Sequence, residues 1–187
     1  MDMHENDIKL IFLAVEKFED STITRGAFLF TDVETKPLEF RCTTPIRPTN
    51  LQKILYGGVL DKYVRVDLIG LPLMKTIKEK NVVILVRDKT LLEMRPGLDI
   101  PVIALTSDVE IDNSDGNNLN AKEDDCLLSS DAGKFESIVI STHKDYMSER
   151  EELRTKLSEV FKKHDLLEPF SRIGSALNQI NKEDKKD

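Results

Sequence analysis

The chain has no tryptophan, only two cysteines and only three histidines in 187 residues, and each scarcity removes a class of explanation. Cys42 and Cys126 are far apart and belong to no Cys-x-x-Cys pair, so a zinc ribbon and a redox dithiol are excluded as motifs. Two isolated cysteines read as free thiols in a reducing compartment, and the expected location is cytoplasmic. No His-Glu-x-x-His or Asp-rich calcium pattern occurs, and no glycine-rich loop of the P-loop or dinucleotide type. The N-terminal MDMHENDIKL is acidic and polar, unlike a signal peptide. No apolar run approaches a membrane span; the longest are of the LIFLAV kind. Excess positive charge is also missing. The formal net charge of −7 argues against general nucleic-acid or membrane-surface binding, which need a basic field.

What is present is an ordinary globular composition, 40% hydrophobic and 33% charged, in a chain long enough to bury a core unaided. Residues 9–18 (KLIFLAVEKF) and 23–31 (ITRGAFLFT) read as strands, with Gly26 marking a bulge or a close backbone approach. Residues 37–43 (PLEFRCT) alternate as a third strand, with Leu38, Phe40 and Cys42 on one face and Glu39 and Arg41 on the other. Short polar turns between the three predict an antiparallel meander. Thr49 is the expected N-cap of a short helix carrying Leu51, Ile54 and Leu55, closed by Gly57 and Gly58. Leu60–Gly70 fits a helical stripe, although Val64–Leu68 also alternates like a strand. Pro72 predicts a helix over 71–80.

Residues 81–86 (NVVILV) carry the β-branched character of a central strand buried on both faces. Residues 90–94 and 100–105 read as further strands around the Pro96-Gly97 turn, and 134–141 as the last. Ser148 and Glu151 have capping-box spacing ahead of a helix reaching about His164. Pro169 opens a second helix with Phe170, Ile173, Leu177 and Ile180 in phase. The predicted fold is therefore α/β or α+β: a mixed sheet of about five to seven strands, opened by a meander, with helices packed on it and two helices at the C-terminus. Its expected division is a core over 1–106, an acidic flexible loop over 107–132, the last strand and helices of the same domain over 133–181, and a disordered tail over 182–187.

The stretch from Phe40 to Gly58, FRCTTPIRPTNLQKILYGG, is the expected functional unit. Arg41, Thr43, Thr44 and Arg47 precede a helix N-terminus, a combination of guanidinium forks and amide donors suited to a phosphate or carboxylate. Tyr56 closes the unit. His143 with Asp145 follows a predicted strand, where a His-x-Asp pair serves as a general base or as two metal ligands. Asp32 and Glu34 on the hairpin are candidates for magnesium, and Cys42 beside Arg41 for a nucleophile. His4 and His164 lie near the N-terminus and at a helix end. Against each stands a plainer role: surface ion pairs, turn carboxylates, a buried thiol, a dipole-complementing histidine.

Two functions follow. The first is a non-catalytic binding or assembly protein that uses the Phe40–Gly58 unit toward a protein partner. The second is an enzyme or sensor for a small phosphorylated or nucleotide-like anion at Arg41, Thr43, Thr44, Arg47, Tyr56, His143 and Asp145. No complete catalytic constellation can be assembled, which favours the first. The residues identify no cofactor.

Overall fold

The computed structural model describes residues 8–19, 22–107 and 126–184. His4 and the acidic stretch from Asp108 to Asp125 lie outside them. Seven strands form one sheet in the order β3-β2-β1-β4-β5-β7-β6. β1 (Lys9–Phe18), β2 (Ile23–Thr31) and β3 (Pro37–Cys42) are the expected antiparallel meander. β4 (Val82–Val86) then returns to the other side of β1 and runs parallel to it, followed by a parallel β5 (Val102–Ser107). β7 (Ile138–Thr142) pairs antiparallel with β5, and the two-residue β6 (Leu127–Leu128), which no periodicity announces, pairs with β7.

Alternation along the central strands sorts their side chains into two cores. Leu10 and Phe12 of β1, Val83 and Leu85 of β4, and Ile103 and Leu105 of β5 face one side. That side is covered by α4 (Arg150–Phe161) and α5 (Glu168–Glu183), through Leu153, Leu157, Phe161, Ile173 and Leu177. Ile11, Leu13, Ile84 and Val86 face the other side, under residues 60–74 and the 3₁₀ segment Lys89–Gly97. Each fully buried Leu, Ile or Phe contributes about 1.5–3 kcal/mol of transfer free energy. Strands buried on both faces need unbroken apolar sequence, and β1 and β4 have it.

The helical segment after β3 departs from expectation. α1 (Asn50–Tyr56) begins at Thr49 with a full capping box: the Thr49 hydroxyl accepts from the Gln52 amide, and the Gln52 side chain accepts from the Thr49 amide. Gly57, at φ +51°, breaks the path, but helix resumes at once. A 3₁₀ turn (Gly57–Val59) leads into α2 (Leu60–Lys62), an eight-residue π-helical stretch (Tyr63–Gly70) and α3 (Leu71–Met74). The helix expected over 71–80 thus ends at Met74, because the chain must turn to enter β4. The ambiguity over 60–70 resolves as helix, with Val64, Val66 and Ile69 buried.

Three further expectations fail. Residues 90–94 form 3₁₀ helix, not strand: the Asp88 carboxylate accepts from the Thr90 amide and caps the turn, and Leu91, Leu92 and Met94 are buried beneath it. Ser148 caps nothing; it lies inside a 3₁₀ turn (Lys144–Glu149), and α4 starts after Glu149 with no side-chain cap. The expected disordered tail over 182–187 is helical at Lys182 and Glu183, and Asp184 closes the helix. Burial explains this. Arg25 of β2, only 3% exposed, is covered by α5, and its guanidinium pairs with Asp184 while reaching the Thr43 carbonyl at 3.5 Å. A buried guanidinium without a carboxylate would be costly, so the helix end is recruited. At the other end of α5, both terminal nitrogens of Arg172 donate to the Thr35 carbonyl at 3.0 Å.

Gly26 is the close approach that its place in a strand implied. A Cβ there would lie 2.1 Å from Cγ2 of Ile69, so the π-helical stretch sits directly on the β2 backbone. Ile69 is β-branched and held on both sides, and it has little freedom to yield. Gly26→Ala should therefore destabilise the fold by about 1–3 kcal/mol, the cost of overpacking, read as a lower midpoint in thermal or urea unfolding.

Candidate functional site

The Phe40–Gly58 unit is built by the outermost strand and the helix that follows it. Arg41 lies on β3, its guanidinium 5.8 Å from the ring of Phe28, with Nε paired to Glu39. Thr43 extends the β2–β3 pairing: its amide donates to the Gly26 carbonyl at 2.8 Å, and its hydroxyl accepts from the Gly26 amide at 3.1 Å. Ile46 forms a bridge with Thr24, so the loop is tied to β2 through both of its backbone polar groups. Thr44 and Arg47 are exposed on either side of that bridge. The ring of Tyr56 stacks on Tyr63 at 4.5 Å, and hydrogen bonding with the Tyr56 hydroxyl raises the Tyr63 phenol above its ordinary pKa. Of the expected anion-binding groups, Arg41 is thus paired with Glu39, the Thr43 hydroxyl accepts from Gly26, and the Gln52 amide at the head of α1 is taken by the Thr49 hydroxyl.

His143 and Asp145 lie elsewhere. His143, 6% exposed, caps the 3₁₀ turn that follows β7, its Nδ1 accepting from the Asp145 amide at 3.2 Å. The Asp145 carboxylate is 3.7 Å from that nitrogen and largely exposed, and the ring of Tyr146 meets the imidazole edge-on. Because β7 runs antiparallel to β5, its carboxyl end adjoins the amino end of β5, with Thr142 opposite Ile103. A strand's carboxyl end is a favoured ligand position when the strand belongs to the parallel set, and β7 does not. β3 and β7 are also five strand spacings apart in the sheet, about 24 Å. Arg41 and His143 are not neighbours.

The other candidates have local roles. The Asp32 carboxylate accepts from the Glu34 and Lys36 amides and shapes the β2–β3 turn. Cys42 is half-buried against the core under α5. His164 borders an open groove of about 660 Å³ with Lys156, Lys163 and Glu34. Among the described residues, no three His, Cys, Asp or Glu side chains are grouped to hold a metal ion.

The topology points to another place. Chain order reverses between β1 and β4, with β2 and β3 on one side and β5 on the other, and crevices at such switch points are common ligand sites. A cavity of about 310 Å³ opens there, bordered by Glu16, Arg87, Asp88, Phe170 and Ser171. Beside it the π-helical stretch delivers Arg65, whose guanidinium donates to Asp61, to Asp88 at 2.9 Å and to the carbonyl of Val15. Lys17 pairs with Asp61 at 2.6 Å. The network is closed on itself: two carboxylates meet two cations. It locks the helical segment to the ends of β1 and β4 instead of presenting charge to a ligand. The sequence signals only its Asp61–Arg65 pair, four residues apart along one helical run; Lys17 and Asp88 come from distant elements.

No protein-family model matches this chain, and no curated protein matches its sequence. Among the described residues no helix is long and apolar enough to cross a membrane.

Burial would raise the Asp61 carboxyl, but the hydrogen bonds from Lys17 and Arg65 outweigh it and hold it below the ordinary carboxylate range. A carboxyl whose pKa is lower in the folded chain adds stability above its unfolded value and loses it as pH falls through the folded value. Asp61→Asn should therefore be less stable than the parent at pH 7 and converge on it in acid, below about pH 4. Thermal melts of both proteins between pH 7 and pH 3 measure this. A gap that stays constant with pH would remove the charge from the account.

Proposed function

We propose that this protein is a non-catalytic binding or assembly module whose partner surface is the unit from β3 through α1. The observation that carries the reading is that α1 buries none of its seven residues. Leu51, Ile54 and Leu55 are 64%, 78% and 71% exposed, and Val59 in the next turn is 62% exposed. Leu51, Ile54 and Leu55 form one stripe at helical spacing, and Val59 follows beyond the break at Gly57. An amphipathic helix in a globular protein normally turns such a stripe to the core, whereas here the core is complete without it. Exposed apolar patches of this kind mark interaction surfaces.

Charge indicates the partner's character. Between Pro37 and Val59 there are three cations, Arg41, Arg47 and Lys53, against the single carboxylate Glu39, although the whole chain carries −7. A protein partner whose apolar anchors are ringed by carboxylates complements this surface, and like-charged competitors are repelled. The anion-ligand reading has no comparable support, because Arg41 is paired with Glu39 and the Gln52 amide of α1 is taken by the Thr49 hydroxyl.

The test is a triple variant, Leu51→Ser, Ile54→Ser and Leu55→Ser. Since these side chains are exposed, its unfolding free energy should stay within about 1 kcal/mol of the parent. A stoichiometric partner recovered from the native host and cross-linked to Lys53 should be lost with it. Loss of several kcal/mol would show that the stripe packs internally, and an unchanged set of cross-linked partners would place the interaction elsewhere.

A further inference from the structure

We infer that the outer edge of β3 is a self-pairing edge, and that two copies of this chain join antiparallel about a two-fold axis through Phe40. The inference rests on reading this unit as an interaction surface, and it names the occupant of its strand half. β3 ends the sheet, and six residues long it is the substantial edge among the described strands; the opposite edge, β6, has two. Unpaired edges recruit further strands unless they are shielded. Leu38 and Phe40 remain 50% and 37% exposed, so no element among the described residues shields them.

Backbone direction is set by β2. The Thr43 amide bonds inward to Gly26, so by the two-residue period Arg41 and Glu39 also bond inward, and Phe40 and Cys42 turn their amides and carbonyls outward; the register shift opposite Thr31 interrupts this period at Leu38. In an antiparallel pair of β3 edges centred on Phe40, the two Phe40 residues exchange both backbone hydrogen bonds. Cys42 of each copy, on the face shared with α5, then comes opposite the Leu38 end of the other strand. On the opposite face Glu39 of each copy faces Arg41 of the other, in the non-hydrogen-bonded positions where side chains approach most closely.

Charge selects this register over its neighbours. Sliding the pair by one step in either direction while keeping outward groups opposed sets Glu39 against Glu39, or Arg41 against Arg41. Both place like charges directly opposite, which disfavours pairing. Pro37 and Pro45 bracket the strand and stop the ladder from lengthening into an open-ended stack. The sequence EFR is thus self-complementary in charge about Phe40, which is what a two-fold interface requires.

The experiment is sedimentation equilibrium of the full chain at roughly 100 μM, a concentration suited to a small interface. The parent should sediment as a dimer. E39R sets two arginines against two arginines, and R41E sets two carboxylates against two. Each should weaken self-association by about tenfold or more, while circular dichroism stays unchanged because both side chains are exposed. Mixing E39R with R41E should restore a dimer containing one of each, since every cross-strand pair is again opposite in charge. The double variant E39R/R41E should dimerise like the parent. A monomeric parent, or single variants that dimerise undiminished, would overturn the inference. If the α1 triple serine variant becomes monomeric while E39R does not, the strand pairing is overturned and the interaction-surface reading survives. If both the dimer and the cross-linked partner persist in every variant, the two fall together.

Discussion

Double-sided burial of the β1–β4 pair is the constraint from which the remaining structure follows. Two parallel neighbours with apolar side chains above and below must be covered on both faces, so the chain has to supply helical layers twice. It does so at different points in its length. Residues 60–74 and the 3₁₀ segment cover one side before the sheet is finished, and α4 and α5 cover the other after it. The first cover lies so close that Gly26 and Gly70 have no room for a Cβ, 2.1 Å from Ile69 and from the Met94 sulfur.

That close approach accounts for the distribution of charge. Cations caught beneath the covering layers cannot stay unpaired, and each has recruited a carboxylate from a distant element. Arg25 takes Asp184, Arg95 takes Glu149, and Arg65 takes Asp61 and Asp88. Arg95 also lies 4.0 Å over the ring of Tyr146. These pairs tie the termini of helical segments to the sheet. Breaking one leaves a buried charge, so they secure register more than they add stability. These polar groups are consequently engaged in architecture, while α1 buries none of its residues.

The contrast between those two parts of the chain is the basis for the functional reading. One region has an exposed edge, an exposed apolar stripe and a cationic excess. The other described cations beneath the covering layers, Arg25, Arg65 and Arg95, are paired, and both faces of the sheet are filled. A strand edge offers backbone hydrogen bonds and a helix stripe offers desolvation, and interfaces combine both.

The meander, the central strand, the helix at Thr49 and the C-terminal helix phase were legible in the sequence because each depends on neighbours within a few residues. Unbroken apolar runs make β1 and β4 strands wherever they are buried, and Thr49 with Gln52 caps a helix without outside help. The exposure of Leu51, Ile54 and Leu55 was not legible: periodicity shows that a stripe exists, and only the finished core shows that nothing among the described residues covers it. The same holds for residues 90–94, where Asp88 and burial under a covering layer outweighed strand propensity, and for His143, whose strand direction depends on pairing with β5. Local sequence determined which segments were strand or helix and where several of them began. Tertiary structure alone decided which faces were used up and which stayed free, because burial is a property of what arrives from elsewhere in the chain.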